Sequence, residues 1–143
     1  MRVWRVCRRP FADLSGEGAR LYGGRWNSPG QPMVYAAETA ALAVLEVRVH
    51  LDLDCRVLPD DYVLMAIETG DLVAETLAET PADPRAAGDS WLASGRSALL
   101  RAPSFVVPES ANVLINPAHR DAARCAVASI RPFAFDARLW PSP

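Results

Sequence analysis

The sequence predicts a compact α+β (mixed α/β) domain, on three grounds. The chain has 143 residues, half of them hydrophobic and 22% charged, the composition of one globular domain and not of a disordered segment. Short runs rich in β-branched and aromatic residues alternate with helix-compatible stretches. They do so without the strict strand–helix–strand repeat of a doubly wound parallel sheet. A chain of this length buries roughly 68–70% of its unfolded surface, so it needs no disulfide or metal staple. One domain over residues 1–143 is expected.

Val3 and Trp4 make residues 2–6 a first strand, and Pro10 ends it. Residues 15–32 are dense in glycine and proline. They read as a long, ordered loop with Tyr22 and Trp26 to anchor it. Residues 33–36 form a short apolar strand. Residues 39–51 give the clearest helix: Thr39 is its N-cap, an Ala-Ala-Leu-Ala run favours it, and Leu42, Leu45 and Val49 make its apolar stripe. Residues 62–68 are a strand. Residues 71–79 fit a strand or a helix equally, and residues 81–89 read as a polar connection. Residues 91–100 are helical apart from a weak point at Gly95. Residues 104–107 and 113–115 are short strands around a turn at 108–112. Residues 117–128 accommodate a helix and residues 132–139 a last strand, with a frayed end at 141–143.

The formal net charge is −2 and the sequence pI about 5.6. That balance argues against nonspecific attraction to nucleic acid or to an anionic membrane. All 15 basic residues are arginine, which excludes Schiff-base catalysis by lysine and a P-loop lysine. Cys7, Cys55 and Cys125 are odd in number and widely spaced, as suits free thiols in a reducing cytoplasm. Arg2, Arg5, Arg8 and Arg9 lead into Pro10 and not into an apolar core, so no signal peptide is expected. No apolar run reaches the roughly 18 residues of a membrane span.

Several residues can carry chemistry. In Gly23-Gly24-Arg25-Trp26-Asn27 the glycines allow close backbone approach, and the arginine fork suits a phosphate pair. The same residues also fit a surface turn with a solvated arginine. Glu46 shares a helix face with Leu42, Leu45 and Val49. It is either a working carboxylate or one paired with a structural arginine. Tyr35 fits a core or a site position, and Ser104 alone reads as a turn residue. His119 fits a loop-holding histidine better than a general base. With His50 its only histidine companion, a metal site is not expected.

Two stretches, GARLYGGRWNSPGQPMVYAAETAALAVLE (residues 18–46) and WLASGRSALLRAPSFVVPESANVLINPAH (residues 91–119), together resemble the RES-domain family. These are bacterial toxins of toxin–antitoxin systems, named for an arginine, a glutamate and a serine. Order, spacing and flanking residues agree over most of the chain, while residues 52–85 carry little of the likeness. The family arginine, glutamate and serine fall on Arg25, Glu46 and Ser104, and the accompanying tyrosine on Tyr35.

The resemblance implies a fold similar to ADP-ribosyltransferase toxins, with NAD as substrate in a cleft. It also implies an Xre-type antitoxin partner and a toxin homodimer within the complex. On this reading Glu46 stabilises positive charge on the ribose and Arg25 holds the phosphates. Tyr35 and Ser104 line the nicotinamide-ribose pocket. The expected reaction is hydrolysis or phosphorolysis of NAD. The alternatives are mono-ADP-ribosylation of a cellular protein and a non-catalytic nucleotide-binding module.

Overall fold

The computed structural model describes residues 1–142; of the expected frayed end, Pro143 lies outside them. Seven strands form one sheet: β1 (Arg2–Arg8), β2 (Val34–Ala37), β3 (Tyr62–Glu68), β4 (Glu75–Thr76), β5 (Leu99–Pro103), β6 (Ala111–Ile115) and β7 (Ala126–Pro132). Their order is β4-β5-β6-β2-β1-β3-β7, antiparallel except for the β4–β5 pair. Three α-helices join them: α1 (Glu17–Tyr22), α2 (Ala40–Val49) and α3 (Pro84–Ser94). The architecture is α+β, as the mixed pattern of elements predicts.

The sheet is nearly split in two. β1 pairs with β3 along its whole length, from Arg2↔Glu68 to Arg8↔Tyr62. Against β2 it pairs only at Trp4↔Ala37. The strands on either side of this seam diverge, and α2 packs beside the seam. Val6, Ala37, Leu42, Ala43 and Leu64 bury themselves together there.

Several elements differ from expectation. Residues 15–32 contain α1, which begins after Gly16 in the left-handed region and stops at Gly23. The polar connection expected at 81–89 is most of α3. Asp83 caps it, accepting from the Ala86 N–H, and Pro84 takes its first turn. The helix expected over 91–100 ends at Ser94, where Gly95 adopts φ 60° and the chain turns into β5. Of residues 71–79 only Glu75–Thr76 is strand. Residues 104–107 are not a strand, since β5 precedes them. The helix expected in 117–128 is only a 3-10 turn at Arg120–Arg124, and the last strand is β7, earlier than residues 132–139.

Candidate active site

A cavity of about 420 Å³ opens where β1 and β2 separate, within the 300–1,000 Å³ usual for small-molecule sites. β1 contributes Trp4 and Arg5, β2 contributes Tyr35, α2 contributes Glu46, and the glycine-rich loop contributes Arg25.

Glu46 projects from the inner face of α2. That face is rotated from the expected stripe: Leu42 and Ala43 are buried, whereas Val49 is 52% exposed. An alanine-rich helix has no dominant stripe of its own, and its orientation follows the groove it fills. Thr39 caps it as expected, accepting from the Leu42 N–H.

The Glu46 carboxylate is held by one oxygen. Ser104 Oγ lies 2.6 Å and Asn112 Nδ2 3.0 Å from Oε1. The Ser104 oxygen also accepts the N–H groups of Val106 and Val107, both at 3.0 Å. Backbone N–H groups only donate, so the serine proton goes to Glu46. Charge-assisted bonds of this kind are the strong ones. Among the described residues no group bonds Oε2, and that oxygen is left to a ligand. Ser104 is 2% exposed and does not line the cavity. It stands behind the glutamate, bonded to it, and not in the pocket wall where the family resemblance put it.

Tyr35 pins the glycine-rich loop. Its hydroxyl donates to Asn27 Oδ1 at 2.7 Å and accepts the Trp26 N–H at 2.9 Å. Asn27 is fully buried, and its amide donates to the carbonyls of Ala19, Ser28 and Gln31. Burial pushes the Tyr35 phenol up to about 12, while the Trp26 N–H pulls the other way. A Cβ on Gly24 would meet the Tyr35 hydroxyl at 2.6 Å, so this glycine serves a close approach. Helix α3 clasps the loop from outside. Arg85 donates to the Gly24 carbonyl, and Asp89 accepts the Ser28 N–H at 2.8 Å. Arg25 is thereby set at the cavity wall, its guanidinium 3.9 Å from the centroid of the Phe105 ring, a cation–π contact.

Arg5 escaped the sequence reading. It bridges the seam, Nη1 donating to the Tyr35 carbonyl at 3.1 Å. Its Nε is buried without a partner, the kind of orphan donor that calls for an explanation. The available signal was alternation: Arg5 has the parity of Val3 and Cys7, both buried. Asn112, read as part of a turn, lies in β6 opposite Ala37 and Ala102. His119 lies away from the cavity. Its Nδ1 accepts the Asp121 N–H and caps the 3-10 turn. The described residues contain no group of three or more potential metal ligands, and no helix among them is long and apolar enough to cross a membrane.

Fold and site thus define an α+β protein with a carboxylate and two guanidiniums around one cavity. Comparison with known proteins gives the family. The RES domain model matches residues 2–136, and the chain belongs to the RES-domain toxin family. It is 42% identical over 141 residues to the Prs ADP-ribosylating toxin of Sphingobium sp. (strain YBL2), covering 89% of this chain and 86% of that one. It is 35% identical over 148 residues to Toxin Res of Pseudomonas putida, covering 98% of this chain and 100% of the relative. In fold it is similar to a chain in the crystal structure of the M. tuberculosis MbcT–MbcA toxin–antitoxin complex. The TM-score is 0.73 and the identity 18%, over 93% of this chain and 84% of that one.

Proposed function

We propose that this protein is the toxin of a toxin–antitoxin pair and that its cavity binds NAD and cleaves the nicotinamide–ribose bond. The observation that carries the reading is Glu46, fixed by Ser104 and Asn112 through Oε1 with Oε2 left over. Breaking the bond to a cationic nicotinamide builds positive charge on the ribose. A carboxylate already oriented beside that sugar stabilises the transition state more than the ground state. Oε2 is the oxygen available for it. Arg5 and Arg25 both line the cavity, and their guanidiniums suit the pyrophosphate. Tyr35 positions the loop that carries Arg25.

Water as acceptor makes the enzyme a glycohydrolase, and inorganic phosphate makes it a phosphorylase. The partner we propose is an antitoxin of Xre type, acting on a toxin homodimer in the cytoplasm. A second reading, transfer of ADP-ribose to a protein, is favoured by the likeness to the Prs ADP-ribosylating toxin, 42% identical to this chain.

Glu46→Gln keeps the shape and an acceptor for Ser104, and removes the charge. Loss of one preorganised electrostatic contact costs about 3–4 kcal/mol, so turnover of NAD by the purified chain should fall roughly 10²–10³-fold. The melting temperature should barely move. Turnover at the wild-type rate would refute the role given to Glu46.

A further inference from the structure

We propose that His50 is the base that takes the proton of the incoming acceptor, an inference that rests on the NAD-cleaving reading of the same cavity. His50 follows α2 and lines the cavity with Glu46, four residues earlier on the same helix face. Its backbone N–H bonds the Val47 carbonyl at 3.1 Å. The Glu46 carbonyl, which a continuing helix would give to that N–H, instead lies 2.7 Å from His50 Nδ1. A carbonyl oxygen only accepts, so Nδ1 carries the proton. In the neutral ring the lone pair is then on Nε2. The tautomer is set by the same turn that carries the catalytic carboxylate.

Three of the neighbouring groups in the cavity, Cys7, Tyr35 and Glu46, are occupied otherwise. Burial pushes the Cys7 thiol up, and the Tyr35 hydroxyl is committed to Trp26 and Asn27. Glu46 is engaged with the sugar and held by Ser104 and Asn112. His50 is the one imidazole among the described cavity-lining residues.

The step balances. Nε2 takes the proton of the acceptor O–H, and the acceptor oxygen bonds the anomeric carbon of the ribose. The carbon–nitrogen bond to nicotinamide breaks, its electron pair leaving on neutral nicotinamide. The imidazolium then returns its proton to solvent. Such a base matters for water or a hydroxyl acceptor and is dispensable for a nucleophile that is already an anion.

That difference supplies the test. NAD consumption and products are followed for wild type and His50→Gln, with and without azide. The Gln amide can still donate to the Glu46 carbonyl but carries no basic lone pair, and His50→Ala is a second variant should the first fail to fold. The expected result is a fall of about 10²-fold in kcat in water, the low end for a positioned base, with little change in KM. Azide should restore consumption and yield ADP-ribosyl azide. Unchanged turnover in a folded variant, or a loss that azide does not restore, would overturn the inference. A wild-type chain that leaves NAD intact would instead overturn the reading beneath it.

Discussion

Tyr35 shows how one side chain joins stability to the site. Its hydroxyl makes two hydrogen bonds that hold the loop behind Arg25, and burial raises its phenol from 10 to about 12. A folded value above the unfolded one gives stability that is full below pH 10 and is lost as pH rises through about 12. The stability advantage of wild type over Tyr35→Phe should therefore shrink by about 2 kcal/mol between pH 9 and pH 12, at about 1.4 per unit. Chemical unfolding of both proteins at the two pH values measures it. A constant difference would mean that the phenol ionises as easily folded as unfolded. At this scale the sequence was partly legible. Arg25, Glu46 and Tyr35, singled out in the sequence, line the cavity, but the contact between Ser104 and Glu46 spans 58 positions. Only the fold reveals that the serine hydrogen-bonds the glutamate. Arg5 was hidden because an arginine within a strand looks solvated until the neighbouring strand is known to peel away.

At the scale of elements, α2 and β3 were the most legible. Thr39 caps α2 with its own oxygen, and residues 62–68 are apolar enough to be buried throughout all but the last position. Helix α3 was not. Residues 81–89 read as a polar connection, yet Asp83-Pro84 is a helix-start signal of the usual kind. Gly88 within the helix has a packing reason: a Cβ there would overlap the Trp26 carbonyl oxygen. Gly88→Ala, a favourable change in an isolated helix, should cost about 3 kcal/mol here, the upper end of ordinary overpacking. That corresponds to a fall in Tm of roughly 10 °C. NAD turnover should drop as well, because α3 clasps the loop that carries Arg25. An unchanged Tm would show that α3 can shift off the loop without loss. The 3-10 turn at Arg120–Arg124 and the strand after it were misplaced for another reason. β7 is exposed along its length, so no apolar alternation marked it.

For the whole molecule, the sheet is continuous in order and discontinuous in pairing. Seven strands line up, but the β1–β2 seam is held by one residue pair and by the Arg5–Tyr35 bridge. That weakness is where the cavity opens. Each wall of the cavity comes from a different stretch of chain: β1, the glycine-rich loop, β2 and α2, with β6 and the residues after β5 behind the carboxylate. Composition and pattern gave the fold class, because packing of mixed elements is a bulk property. They could not give the seam, which depends on where two strands fail to pair. The most direct test of the central claim is NAD consumption by the purified chain, with nicotinamide and ADP-ribose products resolved, with and without inorganic phosphate. The account predicts catalytic loss of NAD with one nicotinamide released per NAD consumed. The partner product is free ADP-ribose or, if phosphate is the acceptor, its 1″-phosphate. NAD loss no greater than the amount of protein present would contradict it and would direct attention to a protein acceptor.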